Sequence, residues 1–411
     1  MYFNLINDIL IFIVLLAIIS STLFFFLRKH LFSIVDFWVF IIINQSIILT
    51  FFCYLYFIKI ANFEILINIL LSTIFLALGL NVFYKKNKLY RFKKELLIER
   101  TITILSAIIV FAYLINTFLS IYLLGIPFIT GVRRTISVYS EMGPGFGLIY
   151  YLDWGLKLLL TVVIAKLYSM NKIRLSFLIL IIFVLGLILN TGSRLVYLQL
   201  FLFFIYAMHL SNVNFKLKKI PRFMKWGIFI LPFLILFSFV SAVDTGYESN
   251  VFLAFTKRVV ATAEGPFYYF IGESSENIDR INILKYHFAQ VLPYFGVDTE
   301  NEINLGVNIT KLSTYNFGSK GWGPNPTFYV IGHNIFGNLS FIYAFIMGLL
   351  LSFVRYRLNK IGFSLYFLLN ITVVTIIVDG TLFTMSLFYI LLLLIPISVV
   401  LIQGYKSKQI T

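Results

Sequence analysis

Eleven apolar runs, most near the length of roughly 20 residues that crosses a bilayer as helix, fill this chain and restrict its fold more than any other feature. Inside a bilayer the backbone has no water to bond, so each run must close its own hydrogen bonds, as a helix does. The runs are 8–27, 33–57, 63–83, 102–123, 147–168, 175–190, 195–210, 226–243, 333–354, 362–378 and 381–402. The sixth and seventh, at 16 residues each, are short for a full crossing. The expected fold class is therefore all-α: a polytopic integral membrane helical bundle of about eleven transmembrane helices. Its expected divisions are 1–240 (eight helices with a short external loop at 125–146), 241–332 (a large external loop containing short helices) and 333–411 (three more helices).

Composition agrees with this reading: 60% of residues are apolar, only 12% are charged, and the mean hydropathy is +0.94. A net charge of +16 would suggest a nucleic-acid partner in a soluble protein. Here the bases lie in clusters between apolar runs, which is how membrane proteins set their orientation, and no nucleic acid is implied. Placing Arg28/Lys29, Lys85 to Lys94, Lys172/Arg174, Lys216 to Lys225, Arg355 to Lys360 and Lys406/Lys408 in the cytoplasm collects 20 bases inside and leaves ten outside. The N-terminus and the long loop are then external, and the C-terminus is cytoplasmic. The first run lacks a basic leader and a small-residue cleavage site, so it reads as a retained span. Cys53 is the one cysteine, so neither a disulfide nor a thiolate metal cluster is expected. No nucleotide-binding or HExxH motif is present, and no cofactor or metal is expected.

The interrupting segment, 241–332, holds nine of the 17 acids and is where chemistry is expected. Phe252 to Phe270 reads as a helix able to lie on the membrane surface, carrying Arg258, Glu264 and Tyr269. Tyr269 and Trp322 are aromatic faces of the kind that stack on sugar rings. Pro324 and Pro326, flanking Asn325, keep the backbone extended before the ninth span. His333, at the start of that span, is the histidine best placed for proton transfer at the outer interface. Arg133 and Arg134 stand on the outer face against the charge bias, positioned either to hold an anion or to anchor to headgroups. Between the sixth and seventh spans the chain turns in four residues, Thr191-Gly192-Ser193-Arg194, which puts Arg194 at the outer interface, where its planar fork matches phosphate oxygens. Asp153 and Lys157, at i and i+4, are expected to neutralise each other, and Asp36 to snorkel or pair near the cytoplasmic end of the second span.

A short Thr-Gly-Ser-Arg hairpin tip, a large late external loop and a Gly-Pro-Asn-Pro-Thr-Phe segment leading into a span resemble the Wzy-type O-antigen polymerases, or oligosaccharide repeat unit polymerases. The layout is also similar to that of the O-antigen ligases. The resemblance implies a glycosyltransferase of the bacterial inner membrane, multi-pass, with its site facing the periplasm. Such an enzyme joins undecaprenyl-diphosphate-linked oligosaccharides, with a chain-length regulator protein as a further candidate partner beside membrane lipid. Carried over by motif, Arg194 matches the Ser-Arg position that handles the lipid diphosphate. Arg134 with Gly145 has an Arg-to-Gly spacing of eleven found in some polymerases, whereas Arg258 is followed at that distance by Tyr269. Either His333 or Asn325 occupies the place of the ligase histidine. Arg194, His333 and Glu264 are thus the expected catalytic residues; Arg133, Arg134, Arg258, Asn325, Tyr269 and Trp322 are expected to bind substrate. A ligase, or a flippase or exporter of lipid-linked saccharide, is the alternative.

Overall fold

The structure is a computed structural model that describes residues 8–31, 36–84, 99–130, 142, 146–190, 260–289, 292–303, 305–314, 324–358 and 363–379. All regular structure among them is helical, and five segments are long and apolar enough to cross a membrane. In chain order the principal helices are α1 (Ile9–Leu27), α2 (Val39–Phe57), α3 (Phe63–Val82), α4 (Glu99–Leu124), α5 (Gly147–Ser169), α6 (Ile173–Asn190), α7 (Glu264–Phe270), α8 (Ile283–His287), α9 (Leu305–Lys311), α10 (Thr327–Phe336), α11 (Ser340–Arg357) and α12 (Phe363–Asp379). They follow the expected spans closely except at the ninth. The expected spans 195–210, 226–243 and 381–402 lie outside the described residues. The chain divides into two compact units, one of Met1–Tyr90, Phe237–Asn359 and Asn370–Ser386, the other of Arg91–Leu236, Lys360–Leu369 and Leu387–Thr411.

The first unit is built on α3 and α11, which run parallel at very close range. A Cβ added to Gly348 would stand 2.2 Å from the Leu76 carbonyl oxygen, and one added to Gly79 would stand 2.4 Å from that of Phe345. Both positions therefore need glycine: in a membrane, helices gain little from the hydrophobic effect and associate through backbone approach and polar contacts. Polar contacts follow the same seam. Ser340 donates to Asn68 Oδ1 at 2.6 Å and lies 2.9 Å from Ser72, while Ser352 donates to the Leu80 carbonyl at 2.8 Å. Helix α2 runs against α3 in the opposite direction after a turn that Asn62 ends by accepting the Ile65 amide at 2.9 Å, the side-chain cap of a helix start.

One end of this unit gathers basic residues. Arg357 lies 5.2 Å over Phe83, Lys29 5.4 Å over Tyr84, and the buried Arg355 4.2 Å over Trp38. Asp36, also buried, takes both terminal nitrogens of Arg355, one of them at 3.0 Å, and accepts the Trp38 amide at 3.1 Å. Its expected pairing with a base is thus met by Arg355, 319 residues away. The other end carries Asp8, bonded by Tyr54 at 3.0 Å, and Glu64.

The expected ninth span, 333–354, is divided. By composition Thr327–Arg357 could be a single crossing, but the chain reverses at Gly337, whose φ of 59° and ψ of −133° suit glycine alone. A Cβ on Gly332 would meet Ser340 O at 3.1 Å and Tyr343 Cβ at 3.2 Å, contacts that residues eight and eleven positions apart cannot make along one straight helix. Helix α10 therefore folds back beside α11 as a hairpin. Its early residue Tyr329 hydrogen-bonds Thr73 at 2.7 Å and donates to Gln45. Thr73 lies ten positions, about 15 Å of helix, into α3. Thus α10 starts deep among the spans and climbs to the Glu64 end, and the boundary expected at 332/333 falls inside it.

In the second unit α4, α5 and α6 pack together. Tyr113 donates to the Phe183 carbonyl at 3.2 Å over Gly186, and Ser176 to Ile164 O at 3.0 Å. Asp153 and Lys157 form the expected ion pair, both buried, and Asn190 at the end of α6 donates to Asp153 at 3.0 Å. That bond fixes the residue immediately before the Thr191–Arg194 turn, which itself lies outside the described residues.

Candidate functional site

At the Glu64 end of the first unit, α7 packs along α10. Of the helix expected over Phe252 to Phe270, residues 252–259, with most of the apolar face expected to lie on the membrane surface, are outside the described residues; Val260 is buried and the remainder forms α7. Gly265, Pro266, Phe267, Tyr269 and Phe270 are buried, with Phe267 against Phe51 (5.9 Å between ring centres) and Phe270 against Phe52 (6.2 Å). Five of the seven residues of α7 are buried, so it has no apolar face free to lie on lipid; it packs into the bundle. Close approach at its start is set by Gly265, where a Cβ would stand 2.1 Å from the Asn325 carbonyl oxygen. Helices α7 and α10 run parallel, and their later residues converge on His333.

His333 is half-buried, its Nδ1 lies 3.2 Å from the Tyr269 hydroxyl, and its ring sits edge-on to Tyr269 (5.6 Å) and Phe270 (5.0 Å). Tyr269 is 1% exposed, and burial pushes its hydroxyl up to about 12 despite Asn334 and the nearby Arg280 guanidinium, both of which favour the anion. It therefore stays protonated at neutral pH and serves His333 as either donor or acceptor. When Nδ1–H donates to the Tyr269 oxygen, Nε2 carries the lone pair that a general base requires.

Charges of both signs act on this imidazole. Glu64 accepts from Asn338 Nδ2 at 3.0 Å, and both the Glu64 carboxylate and the Asn338 amide come within reach of His333. Arg280 is exposed, makes no ion pair among the described residues, and its positive charge acts on His333. Asn334, 3% exposed, holds the segment bearing Arg280: its Oδ1 accepts from the Ile281 amide at 2.7 Å and its Nδ2 donates to the Asp279 carbonyl at 3.3 Å. An exposed guanidinium beside a half-buried imidazole can hold an anion while the imidazole takes a proton from a neighbouring hydroxyl.

A second histidine holds the covering segment down. His287, at the end of α8, lies with Nε2 3.1 Å from the Tyr343 hydroxyl of α11, and the two ring planes are nearly parallel, 13° apart. Burial lowers the His287 imidazole to about 4, so it is neutral. The rest of the segment closes on itself: Thr314 donates from its amide to Gly272 O at 2.9 Å, and Thr299 Oγ1 to Ala289 O at 2.7 Å.

Of the expected site residues, the structure brings Tyr269 and His333 into contact. Glu264 opens α7, next to Gly265, which packs on Asn325, and lies about 8 Å of helix rise from Tyr269, so the two residues expected as alternatives for the acceptor hydroxyl, His333 and Glu264, stand apart along α7. Glu264 instead acts on Tyr268, whose hydroxyl is raised first by burial and then by that carboxylate. Arg133, Arg134, Arg194, Arg258 and Trp322 lie outside the described residues. Sequence reasoning missed Arg280, Asn334, Asn338 and Glu64. Arg280 carried a usable signal, being one of the ten bases placed outside. Among the described residues no cluster of His, Cys, Asp and Glu is placed to hold a metal ion. Comparison with protein-family models, curated proteins and solved structures returns no match.

Proposed function

We propose that this membrane protein is an oligosaccharide repeat unit polymerase of the bacterial inner membrane, with eleven spans and its long interrupting segment on the periplasmic face. The observation that carries the reading is the exposed Arg280, with no ion pair among the described residues, whose charge acts on the His333–Tyr269 pair at the end of the unit opposite Arg28, Lys29, Arg355 and Arg357. The bias of bases toward the cytoplasm puts those four inside and the His333 end outside. Lipid-linked donors are presented on that outer face.

In this reading Arg280 holds the diphosphate of the lipid-linked donor, the role expected from the sequence for Arg194, which lies outside the described residues. The acceptor sugar hydroxyl attacks the anomeric carbon; a glycosidic C–O bond forms as the bond to the diphosphate oxygen breaks. The hydroxyl proton passes to His333 Nε2, and the leaving undecaprenyl diphosphate keeps the bonding pair. The guanidinium stabilises the charge that develops there, and two membrane-anchored substrates held side by side supply proximity. Single displacement inverts the anomeric centre.

The test is the lipopolysaccharide ladder of a deletion strain complemented with wild type, Arg280→Ala or His333→Ala at matched membrane abundance. The expected result is a full ladder with wild type and core bearing one repeat unit with either variant, because losing one oriented charge donor costs about 10²-fold or more in turnover. A full ladder with both variants removes the site from the reaction. Bare core in the deletion strain indicates a ligase or a flippase instead.

A further inference from the structure

The basic end of the first unit carries cations that no carboxylate neutralises. Lys29 and Arg357 are exposed and make no ion pair among the described residues, while Asp36, the acid buried at that end, binds Arg355. Each of the two rests instead on an aromatic ring, the Lys29 ammonium 5.4 Å from the centre of Tyr84 and the Arg357 guanidinium 5.2 Å from that of Phe83. Such a contact steadies a cation and leaves its N–H groups able to donate to a further acceptor. Phe83 and Tyr84 are consecutive at the end of α3, and both also meet α11, Phe83 at Phe353 (5.7 Å) and Tyr84 at Tyr356 (5.7 Å). Two charges, one from the turn after α1 and one from the end of α11, thereby converge on one aromatic pair. The sequence continues from Tyr84 into 85–94, which adds six bases and no acid.

Exposed apolar faces lead to these cations along both helices. Ile74, Leu78 and Val82 recur every four residues on α3 and end beside Phe83. On α11, Ile342, Ile346 and Phe353 are exposed at i, i+4 and i+11, and Arg357 follows at i+15, on the same helical face. From Ile74 to Val82 the helix rises about 12 Å, close to the roughly 15 Å of hydrocarbon in one leaflet. An acyl chain laid along that face ends where its headgroup meets Lys29 and Arg357.

We propose that this surface is a binding site for an anionic phospholipid, its phosphate held by Lys29 and Arg357 and an acyl chain lying on the exposed faces of α3 and α11. A zwitterionic lipid also offers a phosphate, but it brings a cation of its own, which the surrounding bases repel. The site therefore selects a headgroup of net negative charge. It lies at the end of the unit opposite His333 and does not depend on the polymerase reading.

The test uses the full chain in non-ionic detergent and native mass spectrometry, with phosphatidylglycerol and phosphatidylcholine of identical acyl chains added at equal concentration. Wild type is expected to retain phosphatidylglycerol in preference to phosphatidylcholine. Each base beside an anionic headgroup contributes about fivefold, so Lys29→Gln/Arg357→Gln is expected to weaken phosphatidylglycerol binding about thirtyfold and to leave phosphatidylcholine unchanged. Arg357→Gln alone is expected to lose about fivefold, and it gives the reading should the double variant fold poorly. Lys59→Gln/Lys311→Gln removes the same charge from the turn before α3 and the end of α9, and is expected to bind as wild type does. Equal retention of both lipids by wild type overturns the inference. So does an equal loss in the Lys59/Lys311 pair, because net charge alone then explains the preference. Glycerophosphoglycerol, the headgroup without chains, is expected to leave the bound lipid in place; displacement at equal concentration assigns the cations to free phosphate esters and overturns the lipid assignment. A dimer in place of the lipid adduct, abolished by Ile346→Arg, gives this face to a second copy and overturns it as well.

Discussion

Removing either partner of the Asp36–Arg355 pair should unfold the first unit more readily than any surface change. The guanidinium is fully buried, donates to both carboxylate oxygens and, at 2.8 Å, to the His30 carbonyl, and rests on the Trp38 ring. Arg355→Met leaves a carboxylate in a site with 2% exposure, and Asp36→Leu takes from a fully buried guanidinium the carboxylate that binds both its terminal nitrogens. Breaking a buried pair in this way costs about 3 to 5 kcal/mol, roughly two to four orders of magnitude in the unfolding equilibrium. Replacing both partners by apolar groups of similar volume is often neutral, so the double variant Asp36→Leu/Arg355→Met should recover most of the loss. Equilibrium unfolding in mixed detergent micelles, followed by tryptophan emission, reads this directly, because Trp38 lies against the pair. Single variants within about 1 kcal/mol of wild type, or a double variant as unstable as the singles, would refute the assignment of a mutually neutralised buried pair.

Three further outcomes follow from the geometry. Tyr269→Phe keeps the ring packing on His333 but removes the hydroxyl 3.2 Å from Nδ1, so chain length should shorten with membrane abundance unchanged, and Tyr269→Ala should lower abundance as well. His287 is held near 4 against an unfolded value of 6.5, so the unfolded chain binds the extra proton between those values. Stability is therefore full above about pH 6.5 and falls toward pH 4 by on the order of 3 kcal/mol, a slope that calorimetry should find missing in His287→Phe. Gly348→Ala places a methyl 2.2 Å from Leu76 O and should destabilise by about 1 to 3 kcal/mol in the same micelle assay, more than Gly332→Ala, whose nearest contact is 3.1 Å.

What was legible in the chain was local. Apolar run length marks α1 to α6 because crossing a bilayer sets a minimum helix length, and the i, i+4 spacing of Asp153 and Lys157 states their pairing outright. The hairpin at Gly337 was less legible, since α10 and α11 are both apolar and merge into one run; Gly337-Asn338 was the only local sign of a reversal. Asp36 meeting Arg355, and Asn334 gripping both sides of Arg280, depend on residues 319 and about 50 positions apart, which no periodicity encodes. Tyr269 could be read as an aromatic in a polar segment. Its partnership with His333 comes from α7 burying its faces against Phe51 and Phe52, and that burial is a tertiary fact.

Orientation decides between chemistries before any substrate is in hand. The site and the basic cluster lie at opposite ends of one unit, so a single topological measurement locates both. Cys53 is the chain's one cysteine, and a Cys53→Ser background allows single cysteines at Ser275, beside the covering segment, and at Arg357, in the basic cluster. Ser275→Cys is expected to react with a membrane-impermeant maleimide on intact spheroplasts, and Arg357→Cys only after permeabilisation. That pattern puts Arg280 and His333 where lipid-linked saccharides await polymerisation. The reverse pattern puts them in the cytoplasm, facing nucleotide-sugar chemistry for which the chain has no nucleotide-binding motif. The polymerase mechanism would then fail whatever the ladder showed, since its donor would stand on the wrong side of the membrane from every residue assigned to hold it.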